Sequence, residues 1–372
     1  MNKHAKKEIY QALQESTLAY IANDGKVQCA ITKEWDLAGD VWRIEDVTAK
    51  VIATTATLFS VKVGKSNQRS FHASALGNSF LRALKTDFAA LRQHYPMHKF
   101  NPYVEEFFKQ ATASNAADIA STMHALRGDE ITTYTKELND SIDSLRKTGN
   151  SPEFKKVIAD FGRKSNKNYL ATKQLIDAHF EQCGRILALR FDVSYEKDKG
   201  WPTPTKDPVT YDETKKHRED LLKYLPKAVP KGSFLASVCE MEYGLAAKWH
   251  YHCLLLLDGS LVREDVTIAR LIGEHWKKTI TQGKGLYWNC NANKESYKSC
   301  GIGMVNHYDK DAREGLNKAV VYMTKPDYYI KLLVPGNDRT FWKTNMPKSE
   351  TVKKGRHRTK TCDQPEAAQH PA

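Results

Sequence analysis

The sequence lacks any long apolar run. Its longest weakly polar stretch, residues 51–63, is broken by threonines and a serine and falls well short of the roughly 20 apolar residues that a membrane helix needs. No transmembrane helix is expected. The seven cysteines form an odd set without a C-x-x-C pair, which fits neither a disulfide scaffold nor a zinc ribbon; ordinary reduced thiols are expected. The opening Met1-Asn2-Lys3-His4-Ala5-Lys6-Lys7-Glu8 leads into a mixed polar segment in place of an apolar signal region, so a cytoplasmic protein is expected. Gln282-Gly283-Lys284-Gly285 lacks the P-loop pattern, and no nucleotide hydrolysis is inferred from it. There is no internal repeat at a solenoid period.

What is abundant is positive charge. Lys and Arg number 57 against 44 Asp and Glu, a formal net charge of +13, which points to a polyanionic partner, nucleic acid being the commonest; the alternative is a merely basic surface. With 41% hydrophobic and 10% aromatic residues the chain has material for a real core, and its 372 residues leave room for two or three domains.

The first half reads as mostly helical after a mixed start. From Ser74 to Tyr95, Leu76, Phe80, Leu84, Phe88, Leu91 and Tyr95 recur at helical spacing. Asn101-Pro102 supplies a cap residue and a first-turn proline, and Ser151-Pro152 repeats the device. Helical periodicity then runs to a stop at Gly184. Residues 1–183 are thus expected to form an α-rich region of unknown role.

Past Gly184 the period becomes that of strands. Arg185 to Tyr195 is apolar and aromatic. A Lys-, Pro- and Asp-rich insertion and a charged helix (about 212–225) lead to strand-like runs at Ser233–Glu242 and Trp249–Leu257, whose short connection suggests an antiparallel hairpin. A helix carrying Val266, Ala269, Ile272, Trp276 and Ile280 on one face follows, then strands near Leu286 and at 302–307, and a helix from about Asp311 to Lys325. This order is that of an α+β fold. Residues 344–372 read as a basic, disordered tail: between Lys343 and Lys360, Lys343, Lys348, Lys353, Lys354, Arg356, Arg358 and Lys360 face the single acid Glu350.

Three features of the second half belong together. His250 and His252 are two apart on a strand and so project from one face, where two imidazoles can converge on one divalent ion; neutral imidazole suits Mn, Fe, Co, Ni or Zn, whereas Mg prefers oxygen. The preceding strand carries Glu240 and Glu242 on one face, which the hairpin lays beside the histidines. One carboxylate would complete a site with open positions for phosphate oxygens; the other reads as a solvated strand-face acid. Third, Tyr322 and Lys325 are three apart near the end of a helix. A phenol can attack phosphorus and hold the phosphoryl group covalently while a lysine stabilises developing charge. Trp276, Tyr287 and Trp288 lie among lysines and could stack bases, although such aromatics are more often core, and His275 and His307 read as structural.

The order of an apolar strand, an upstream glutamate, His-hydrophobic-His and a later Tyr-hydrophobic-x-Lys resembles the HUH endonuclease superfamily of rolling-circle initiators, relaxases and related transposases. The stretches Cys239 to Gly244, Lys248 to Gly259, Gly273 to Trp276, Gly301 to Met304 and Tyr322 to Lys325 are more closely similar to the YagK/YfjJ-like, inovirus-type replication proteins. The resemblance covers about residues 185–343. It implies an HUH-like antiparallel sheet with packed helices over 184–343, with His250, His252 and Glu242 as metal ligands, Glu240 as the substitute acid, Tyr322 as the nucleophile and Lys325 as its helix partner. Tyr328 and Tyr329 are conceivable second nucleophiles, though their surroundings read more simply as packing. The implied activity is rolling-circle initiation for a phage, prophage or satellite element: nicking single-stranded origin DNA with Mn or Mg through a 5′-phosphotyrosine intermediate. Host replication helicase or polymerase would be further partners, and a membrane would not. The alternatives are a relaxase or transposase with the same chemistry, or a non-catalytic DNA-binding regulator.

Overall fold

The computed structural model describes residues 10, 19–23, 26–30, 33–122, 127–196, 209–244, 248–297 and 300–347. The insertion after Glu196 and the basic tail from residue 348 onward lie outside the described residues. Helices and antiparallel sheets are mixed, as the alternation of 3.6 and 2.0 periods demands. Among the described residues, no helix is long and apolar enough to cross a membrane.

Two units divide the chain, residues 1–166 with 325–333 and residues 167–324 with 334–372. The first is built from helices Lys33–Ala53, Ala75–Leu84, Phe88–His94, Pro102–Ala113, Ala116–Thr122 and Asp129–Asn150. It also carries three antiparallel strand pairs: 19–23 with 26–30, 59–63 with 69–73, and 98–100 with 330–332. The continuous helical period over 74–95 hides a break. The first helix ends at Leu84, and Asp87 starts the next by accepting from Ala90 N at 2.9 Å. Periodicity survives the break because Phe80, Leu84 and Leu91 are all buried. Asn101 and Pro102 open the next helix as their residue types require.

The second unit is organised by a six-stranded antiparallel sheet: β1 (Arg185–Tyr195), β2 (Phe234–Gly244), β3 (Lys248–Asp258), β4 (Gly285–Asn289), β5 (Gly303–Asn306) and β6 (Phe341–Lys343). Its order is β5-β1-β3-β2-β6, with β4 also paired to β1. Among the described residues four α-helices belong with it: α1 (Pro152–Gln182), whose first half is counted with the first unit, α2 (Tyr211–Tyr224), α3 (Asp265–His275) and α4 (Lys310–Thr324). Strand alternation sorts side chains between two faces. Ile186, Ala188, Val238, Leu254 and Leu256 form one core with Leu175, Ile176 and Phe180 of α1 and Leu316, Val320 and Met323 of α4. The opposite face meets α2 and α3: Tyr251 Oη donates to Thr214 O at 2.9 Å, and α3 packs on β1. Trp276, fully buried, donates from Nε1 to Ser194 O at 3.1 Å, so it serves the core.

One contact fixes α4 closely. A Cβ built on Gly301 would collide with the backbone nitrogen of Leu316, and one on Gly315 would lie 2.6 Å from the Cys300 carbonyl carbon. Two glycines thus let the segment before β5 run backbone to backbone against α4, about two turns before Tyr322.

Candidate metal centre

The hairpin register decides which side chains meet. Glu242 pairs across the strands with His250, and Glu240 with His252, so all four lie on the α1/α4 face beyond its apolar core. β1 continues the same face from the other side, with Asp192 opposite His252 and Arg190 opposite Leu254.

Glu242, His250 and His252 converge. Glu242 Oε2 lies 3.3 Å from His250 Nε2 and 3.3 Å from His252 Nε2, and a ligand atom from each of the three falls within 4.8 Å of the others. Two atoms bound to one ion at about 2.1 Å, with angles between octahedral and tetrahedral, sit roughly 3.0–3.4 Å apart, so the carboxylate-to-imidazole spacing fits one shared ion. The other ring nitrogens are already committed. His250 Nδ1 lies 3.0 Å from Lys248 O, and His252 Nδ1 lies 2.8 Å from Asp192 Oδ1. A carbonyl and a carboxylate can only accept, so both imidazoles carry a proton on Nδ1 and present Nε2 to the common point. His252 Nε2 is buried and meets no well-formed hydrogen-bond partner, only the Glu242 carboxylate 3.3 Å away, so it faces the common point with capacity left for a ligand. The cluster can hold a metal ion, and three protein donors leave positions open for other oxygens.

Glu240 is buried opposite His252 on one side and Phe341 on the other; it does not join the cluster, and the acidic donor is Glu242. Burial alone would raise the Glu242 carboxyl, but the two histidines outweigh it and hold it well below the ordinary carboxylate range. Burial likewise disfavours a charged His252, yet Asp192 and Glu242 overcome it and push its pKa up to about 10. Asp192 is opposed by burial and held low by His252 and Arg190.

Tyr322 of α4 reaches this cluster. Its ring meets that of His252 edge to face, centroids 5.3 Å apart, and the Arg190 guanidinium carbon sits 4.0 Å above its centre. Burial pushes the phenol well up, while Arg190 pulls it down. Lys325 lies one residue past the end of α4 and belongs with the first unit, where its Nζ donates to Asn166 Oδ1 at 2.9 Å. Tyr328 and Tyr329 also belong to the first unit, where Tyr328 Oη donates to Glu45 Oε1 at 3.2 Å and Tyr329 is fully buried. His275 stacks on Tyr224 at 3.6 Å between centroids, and His307 Nδ1 pairs with Gly184 O at 3.0 Å, both structural arrangements.

Asp192 and Arg190 occupy no position of the motif pattern, although the sequence holds a signal for them. They are two charges at period 2 inside a strand whose residues from Ile186 to Val193 are otherwise apolar, and a charge in such a run needs a partner. No protein-family model matches the chain, and comparison with curated proteins and with solved structures likewise returns no match.

Proposed function

We propose that this protein is a metal-dependent endonuclease that nicks single-stranded DNA at a replication origin through Tyr322, acting as a rolling-circle initiator for a phage, prophage or satellite element. The observation that carries this reading is the packing of the Tyr322 ring against His252, 5.3 Å between centroids, within a Glu-His-His cluster suited to a divalent ion. A nucleophile beside an ion-binding cluster with open positions is the arrangement that phosphoryl transfer requires.

Glu242, His250 and His252 would hold the ion, with Asp192 fixing the ring of His252. A bound divalent cation would draw charge from the phosphate oxygens. Two imidazoles beside one carboxylate favour Mn over Mg, which prefers oxygen donors. Tyr322 Oη forms a bond to phosphorus as the bond from phosphorus to the 3′ oxygen breaks. The phenol proton passes to solvent, the departing oxygen takes up a proton, and no redox change occurs. The products are a 5′-phosphotyrosine link and a free 3′ hydroxyl able to prime synthesis.

The test is incubation of the full chain with single-stranded origin DNA and Mn, followed by denaturing gel electrophoresis and mapping of the linked residue. A covalent adduct on Tyr322 that requires the ion supports the reading. DNA binding without any adduct would leave a non-catalytic DNA-binding regulator as the function.

A further inference from the structure

We propose that Arg190 is the positioning residue for the attacking tyrosine, its guanidinium holding the Tyr322 ring in place beside the metal cluster. This inference rests on the endonuclease reading and adds to it a residue that the motif pattern does not contain.

Arg190 is 6% exposed on β1, in a strand whose neighbours are apolar. Its nearest ion-pair partner, Asp192, is 3.6 Å from Nη2, and its Nε is buried without a hydrogen-bond partner. A buried cation so loosely paired is expensive, and an apolar side chain of similar length would fill the same space at lower cost. What the charge does have is the face of an aromatic ring, 4.0 Å from its centre, a contact in which a cation is attracted to the ring's electron density.

The ring is therefore bracketed. Arg190 on β1 covers its face, and His252 on the adjacent β3 meets it at 84°. Both brackets belong to the strands that form and support the ion cluster, so the sheet as well as α4 fixes where the phenol ring stands beside that cluster. A displacement of about 1 Å in a reacting group can cost on the order of a hundredfold in rate. The contact also favours reaction over mere binding: as Oη releases its proton and closes on phosphorus, charge spreads into the ring, and the cation over it is attracted more strongly than in the resting phenol. In this role Arg190 acts through Tyr322 and not on the phosphate.

The experiment compares wild type, Arg190→Met and Arg190→Lys as full chains. Measured are thermal unfolding, Mn binding, affinity for single-stranded DNA and the single-turnover rate of adduct formation. Arg190→Met is expected to lower the rate by about 10- to 100-fold while both affinities stay within about twofold, and Arg190→Lys is expected to recover part of the rate by restoring the cation. A wild-type rate in Arg190→Met overturns the proposal, as does a loss of Mn or DNA affinity that accounts for the slower rate, or a lysine variant no faster than the methionine one. Should Arg190→Met fail to fold, Arg190→Lys decides: a slower rate with intact Mn binding supports the role, and a wild-type rate removes it. If wild type itself forms no adduct, the endonuclease reading falls; if wild type reacts and Arg190→Met reacts equally fast, the role of Arg190 alone falls.

Discussion

Asp192 accepts the Nδ1 proton of His252 at 2.8 Å, which leaves the opposite nitrogen of that ring as the donor offered to an ion. Partners of this kind fix both the tautomer and the orientation of a ligating imidazole, and losing one typically costs 10- to 100-fold in metal affinity. Asp192→Asn is expected to weaken Mn binding by about that factor, with His252→Ala weakening it further. Isothermal titration of the purified protein reads both, and an unchanged affinity in either variant would argue against the cluster as an ion site.

The pH dependence of ion binding follows from the same ring. In the metal-free protein the pKa of His252 is pushed up to about 10 from an ordinary 6.5, because Asp192 and Glu242 outweigh the effect of burial. An ion must displace the Nε2 proton, so below about pH 10 binding should release about one proton from His252, and that release should raise the logarithm of the affinity by about one per pH unit. For folding without metal, the sign is that of a raised pKa. The imidazolium contributes its full stability below the unfolded value, and that contribution is lost as pH climbs through about 10. Glu242 and Asp192, whose pKa values are lowered, act oppositely: their contribution is present above the ordinary carboxylate range and is lost on acidification through their depressed values. Calorimetry in buffers of different ionisation enthalpy counts the protons, and melting curves with a chelator follow the stability.

Tyr322→Phe removes one oxygen and keeps the ring that Arg190 and His252 bracket. Fold, Mn affinity and DNA affinity should be unchanged within experimental error, while the covalent adduct disappears. A surviving adduct of normal yield would move the nucleophile elsewhere, and peptide mapping would say where.

Gly301→Ala should disturb the same tyrosine from a distance. The new Cβ would run into Leu316 N, a backbone atom that cannot rotate aside, so α4 must shift. Overpacking of this kind costs about 1–3 kcal/mol, read as a lowered unfolding midpoint in denaturant. Mn binding, held by the hairpin, should survive where the protein remains folded, and adduct formation should fall.

The cations of residues 344–360 are expected to contact DNA phosphates without reading sequence. Deleting 344–372 should weaken binding to origin and random single strands by similar factors. It should also make the salt dependence shallower, by about 0.7 in the log–log slope for each phosphate that the shortened chain no longer neutralises. Fluorescence anisotropy across a salt series measures this, and an unchanged slope would mean that the tail takes no part in binding.

The parts of the centre that lie within one regular element are legible in the amino-acid sequence alone. His250 and His252 share a strand face because alternation has a period of two, and Glu242 joins them because a short connection forces the neighbouring strand alongside. Asp192 is not legible in the same way. Its role depends on which strand lies on the far side of β3, and the sheet order β1-β3-β2 is a property of the whole unit. Lys325 is a different case. Helical spacing puts it with Tyr322, but α4 ends at Thr324 and the next residues join the first unit. In that unit the pairing of residues 59–63 with 69–73 is hard to read because, although Phe59–Val63 alternates apolar and polar residues, its partner Arg69–Ala73 does not, and the break before Asp87 is masked by apolar residues that keep their period across it.

Glu242, His250 and His252 stand within eleven residues of one another, whereas Tyr322 follows seventy residues after the second histidine. Contacts between near neighbours along a chain close quickly, and those that must shut a long loop come later. During synthesis the hairpin is complete while α4 has yet to be made. The three residues that can hold an ion are thus within reach of one another before Tyr322 has been made.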